Sequence, residues 1–167
     1  MAVTTGSNNT YLGTGADGTA ALTNSSAIGY NAQVTTSNSM VLGGTGADAV
    51  HVGIGVTSPT AELEVNGYTK LGSNAPAVKM LKLTTTTAPS QGGSVNVAHG
   101  LTPAKILAVD VLIEYSPGQW VPTAYTGSLG YMCNFYINGG SIVLWNLSGA
   151  SASILSKPVK ILVTYEE

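Results

Sequence analysis

Short β-prone pieces end on glycine at a near-constant interval: Tyr11-Leu12-Gly13, Ala27-Ile28-Gly29 and Val41-Leu42-Gly43, followed by Val52-Gly53-Ile54-Gly55. The interval is 16 residues from Gly13 to Gly29 and 14 from Gly29 to Gly43. Thr14-Gly15-Ala16-Asp17 returns as Thr45-Gly46-Ala47-Asp48. A repeat this short cannot bury its own apolar face, so it has to stack on its neighbours. Glycine closes each unit because positive φ costs it little. Helix is excluded by the density of glycine and β-branched residues, and a flexible linker would not keep aliphatics in register. The expectation is a stack of coils with Leu12, Ile28 and Leu42 turned inward.

Charge sharpens that expectation. Only 8% of the 167 residues are charged, against roughly 25% in an ordinary soluble domain. Two charges, Asp17 and Asp48, precede Pro59, and all 6 lysines lie from Lys70 onward. The uncharged stretch coincides with the repeats, as expected where chains wrap together and charge is costly to bury. With no arginine and a net charge of −2, the chain lacks the basic footprint of a nucleic-acid binder. No apolar run reaches the ~18 residues of a membrane span, and the N-terminus carries no signal-peptide pattern. Cys133 is the single cysteine, so no intrachain disulfide or cysteine-based zinc site can form.

Ser25-Ser26-Ala27-Ile28-Gly29-Tyr30-Asn31-Ala32, followed by Ser39-Met40-Val41-Leu42-Gly43, resembles the head repeats of trimeric autotransporter adhesins. Val52 to Gly67 is similar to a connector of bacterial and phage tail-fibre proteins, which precedes a terminal domain. Together these resemblances cover residues 8–72. They imply a left-handed parallel β-roll built from three chains, with Leu12, Ile28, Leu42, Val52 and Ile54 as candidate trimer core. The repeats are few, and stalk heptads and a membrane anchor are lacking. A fibre tip therefore fits better than a whole adhesin.

From Ala77 the pattern becomes alternating strands. Lys79–Thr85, Ser94–Ala98, Lys105–Tyr115, Tyr131–Ile137, Ser141–Leu147 and Val159–Tyr165 read as strands of an antiparallel sandwich or barrel. In the long strand, Leu107, Val109, Val111, Ile113 and Tyr115 form the apolar face. Asn138-Gly139-Gly140 signals a hairpin. Trp145 and Cys133 read as core. His99-Gly100-Leu101, between a short and a long strand, resembles part of the β-rich tip domains of phage tail fibres.

No catalytic constellation emerges. Gly53-Ile54-Gly55 has no helix after it, so the dinucleotide fingerprint fails. Asp110 and Glu114 are four residues apart on a strand, about 13 Å. A threefold assembly would bring three copies of His51 together as a weak metal candidate, against the plainer reading of an exposed or interface histidine. The aromatic loop Ser116–Gly130 is the better candidate site. Trp120 and Tyr125, with Gln119 and Thr123, suit a sugar ring or a protein contact. The competing reading is that Trp120 pins the loop to the core.

The chain is thus expected to be all-β: a head-like β-roll over 1–60, a neck over 61–76 and a β-sandwich knob over 77–167. The expected role is the receptor-binding tip of a homotrimeric tail fibre, from a phage or a phage-derived contractile injection system, outside the cell or on the particle surface. Its partners would be copies of itself, the rest of the fibre through its N-terminus, and a cell-surface glycan or protein. No enzyme activity, cofactor, nucleic acid or membrane insertion is expected. The alternatives are a purely structural fibre segment and a cell-surface adhesin head.

Overall fold

The computed structural model describes residues 6–123 and 125–167. The chain is all-β, with three single-turn 3-10 helices among the described residues. It divides into two compact units between Gly67 and Tyr68, inside the stretch read as a neck.

In the first unit, β1 (Thr10–Leu12), β2 (Asp17–Gly18), β3 (Ser26–Ile28), β4 (Gln33–Val34) and β5 (Met40–Leu42) alternate between two sheets. One sheet is β1-β3-β5 and the other is β2-β4, both parallel. Each turn of chain therefore lays one strand on each sheet. The glycines stack as the strands do. A Cβ on Gly13 would run into the Gly29 carbonyl, and one on Gly29 into the Gly43 backbone. The opposite corner is made by asparagine. Asn8, Asn24 and Asn38, each five residues before its glycine, all have φ near +60° (60, 57 and 58). Asparagine tolerates this left-handed region better than most residues. Asn24 Nδ2 also donates to Asn38 Oδ1 at 3.0 Å.

The interior of the stack is filled by Leu22, Ala27, Ala32 and Val34, with Tyr11, Ala16 and Val41 packed on them. This corrects the inward placement of Leu12, Ile28 and Leu42. Ala27 and Ala32 are fully buried, so the two sheets close on side chains of alanine size. In a three-residue strand only the middle residue faces that narrow space, and its neighbours alternate outward. Leu12 is 63% exposed, Leu42 45%, and Ile28 half-buried. The register aligns Leu12 with Ile28 and Ile28 with Leu42, an aliphatic ladder on the outer face.

β6 (Val52–Ile54) pairs in parallel with β7 (Leu63–Val65). The turn between them is tied by Glu64, whose Oε2 accepts from the Thr60 N–H (2.7 Å) and hydroxyl (3.0 Å). Those two bonds, the backbone one first, hold the Glu64 carboxyl below the usual carboxylate range.

The second unit has two antiparallel sheets. Its strands are β8 (Thr69–Lys70), β9 (Ala77–Thr86), β10 (Ser94–Ala98), β11 (Ile106–Ser116), β12 (Gln119–Pro122), β13 (Cys133–Asn138), β14 (Ser141–Asn146) and β15 (Pro158–Glu166). The larger sheet runs β12-β11-β15-β9-β8 and the smaller β10-β14-β13. One core joins them, with Val111, Ile113, Ile161 and Val163 from the larger sheet and Cys133, Ile142 and Leu144 from the smaller. Cys133, read as core, is 1% exposed. Burial pushes its thiol up to about 11 from an ordinary 9.0, partly offset by a backbone hydrogen bond at Trp145.

Polar ties close the ends. Buried Asn146 donates through Nδ2 to the carbonyls of Ala88 (2.9 Å) and Ser90 (3.2 Å). His99 accepts from the Leu101 N–H on Nδ1 (3.0 Å) while Nε2 lies 3.1 Å from the Gly139 carbonyl, which fits the neutral tautomer protonated on Nε2.

Three details depart from the sequence reading. Leu107 is 49% exposed because a bulge between Ile106 and Ala108 shifts the register, so Ile106 packs on the core in its place, while Val109 keeps the inward position expected of it. Trp145 is 40% exposed rather than core. It stands on the outer face of β14, its indole N–H donating to the Gly92 carbonyl at 3.2 Å. The hairpin turn is Gly139-Gly140, since Asn138 still pairs with Ser141.

Candidate functional site

The aromatic segment is not a loop throughout. Pro117-Gly118 turns tightly, with Gly118 at φ 73°, and its N–H donates to Glu114 Oε1 at 2.8 Å. The chain then runs back along β11 as the edge strand β12, pairing Trp120 with Glu114 and Val121 with Ile113. Val121 turns into the core and Trp120 outward.

Where β12 ends, a groove of about 440 Å³ opens. Its walls are Tyr115 from β11, Trp120, Val121 and Pro122 from β12, Tyr125 and Ser128 from the following loop, and Tyr131 before β13. The tyrosines brace one another edge to face. Tyr131 lies 5.1 Å from Tyr115 and 6.1 Å from Tyr125, centroid to centroid. Such pairs hold their rings in place and add about 0.5–1.5 kcal/mol beyond area burial. Tyr125 is further set by its N–H donating to the Pro122 carbonyl at 3.0 Å. The Lys160 ammonium stands 3.7 Å from the centre of the Trp120 ring, a cation–π contact that fixes the indole over the sheet.

Of the residues singled out in the sequence, Trp120 and Tyr125 are brought together in this groove. Gln119 is exposed on β12 and Thr123 half-buried after it, and neither lines the groove. Sequence reasoning missed Tyr115 and Tyr131, which read as strand residues, and Lys160, forty residues on. The signal for the first two was the clustering of three tyrosines around one aromatic segment. The lining holds no carboxylate. It offers ring faces and the hydroxyls of Tyr115, Tyr125, Ser128 and Tyr131, a surface suited to a neutral ligand with C–H faces and hydroxyl groups.

His51 is exposed, with Nδ1 3.2 Å from the Pro59 carbonyl oxygen. Among the described residues no group of three His, Cys, Asp or Glu side chains is arranged to hold a metal ion. Among them, too, no helix is long and apolar enough to cross a membrane. Val52 is half-buried and Ile54 57% exposed on β6. No protein family, curated protein or solved structure matches this chain.

Proposed function

We propose that this chain is the tip of a homotrimeric tail fibre, of a phage or a phage-derived injection apparatus, that attaches to a cell surface by binding a glycan in the aromatic groove. The mutually braced rings of Tyr115, Tyr125 and Tyr131, with Trp120 beside them in the groove lining, carry the attachment reading. Rigid aromatics provide contact area at low entropic cost, and their hydroxyls meet those of a sugar. The outward ladder Leu12, Ile28 and Leu42 supports the trimer, in which a three-chain β-roll covers aliphatics that one chain leaves exposed. Val52 and Ile54 extend that core. Three weak sites per tip, and several tips per particle, combine into avidity. The site of action is outside the cell or on the particle surface, and the N-terminus joins the rest of the fibre.

The test is whole-cell and glycan-array binding by the chain and by Y125A. Attachment requires that the variant lose binding while keeping its oligomeric mass. One observation favours a second reading, a structural fibre segment: Lys160 already covers the Trp120 ring, as a pin for the edge strand would require. If wild type and variant behave alike on every cell type and glycan, the spacer reading replaces the first.

A further inference from the structure

The outer face of the five-stranded sheet carries exposed apolar side chains beside charged ones. β15 is its central strand. In one row across the sheet, Lys82 on β9 and Asp110 on β11 flank Leu162 on β15. Apolar side chains lie around them: Met80 is 71% exposed, Leu112 43% and Leu162 39%. An apolar groove of about 240 Å³ runs between the two charges. Lys82 and Asp110 stand two strands apart, about 10 Å from backbone to backbone, and among the described residues neither has an ion-pair partner within 4.0 Å.

We infer that this face is a head-to-tail interface between copies of the chain, in which Lys82 of one copy pairs with Asp110 of the next beside a shared Leu162 centre. The inference rests on the self-association proposed above and adds a second contact to it. The argument is charge complementarity. A rotation axis running along β15 sets the β9 side of one copy against the β11 side of its neighbour, so each lysine meets an aspartate and each leucine meets leucine. The same rotation brings the copies of Lys160, which is also on β15, toward the axis. That repulsion is relieved because Lys160 reaches sideways over the Trp120 ring on β12. Glu114 and Glu166 are the remaining charges on this face; Glu114 already accepts from the Gly118 N–H, and Glu166 stands at the far end of β15 from Lys160. The apolar residues that one chain leaves in water are then covered.

The test is the variant K82C/D110C in the 167-residue chain. A disulfide needs Cα atoms within about 7 Å, which the two positions of one chain do not meet, so any bond between them joins different chains. Oxidation followed by a denaturing, non-reducing gel should give two-chain and three-chain bands that vanish on reduction. Wild type, whose Cys133 is buried, should give none. A one-chain band together with an unchanged dissociation constant in D110K, with sedimentation still reporting three chains, overturns this interface and leaves the coil trimer standing. A one-chain mass in sedimentation overturns both. As a second check, D110K should raise the trimer dissociation constant about tenfold or more through like-charge contact, and K82D/D110K should restore it. An unchanged constant in D110K would count against the pairing.

Discussion

Replacing Leu12 with serine separates an exposed side chain from an interface one. In the single chain Leu12 is 63% exposed, so within that chain most of its surface already meets water. Surface substitutions of this kind change stability by within about 0.5 kcal/mol. In a trimer closed over the ladder the exposed share is buried. Full burial of a leucine is worth about 1.5–3 kcal/mol, so the share left for a partner is about 1–2 kcal/mol per chain and about 3–6 kcal/mol per trimer. That corresponds to a rise of about two to four decades in the trimer dissociation constant. Sedimentation equilibrium over a concentration series reads it directly, and thermal melting should become concentration-dependent. L42S should act in the same direction but more weakly, since Leu42 is 45% exposed. If L12S leaves both the dissociation constant and the melting curve at wild-type values, the ladder is not an interface and the reasoning fails.

Other perturbations probe the fold. N24A places alanine at φ 57° and removes the bond to Asn38, which should cost about 1–3 kcal/mol in thermal unfolding. N24G keeps the turn and should cost less. N146A strips the Ala88 and Ser90 carbonyls of a buried donor, and should lower stability by about 2–3 kcal/mol in urea titration. For Cys133 the folded thiol ionises later than the unfolded one. Its stabilising contribution is therefore complete below pH 9.0 and is lost as the pH rises toward about 11. C133A should flatten the fall of the urea midpoint across that window, and a thiol reagent at neutral pH should label wild type only after unfolding.

The repeat was legible because glycine is placed by backbone geometry: the strand stack follows Gly13, Gly29 and Gly43. The matching corner at Asn8, Asn24 and Asn38 was just as regular but went unread, since asparagine is also common in loops and on surfaces. Which side of each three-residue strand faces inward was not readable at all. Tyr11-Leu12 and Val41-Leu42 are apolar at both parities, and only the width set by Ala27 and Ala32 decides between them. In the second unit the six strands read from the sequence formed, while β12 lay inside the segment read as a loop. The inserted residue at Leu107 reversed one end of a face, because a bulge leaves no clear mark in an aliphatic run. Trp120 and Tyr125 were found by residue type and turn context. Their companions Tyr115, Tyr131 and Lys160 arrive through strand pairing, which lies beyond local pattern.

Light scattering of the purified chain at micromolar concentration tests the central claim most directly. A particle of three times the 16.9 kDa chain mass, unfolding in one cooperative step that shifts with concentration, is the predicted result. A compact monomer that unfolds cooperatively and independently of concentration would contradict it.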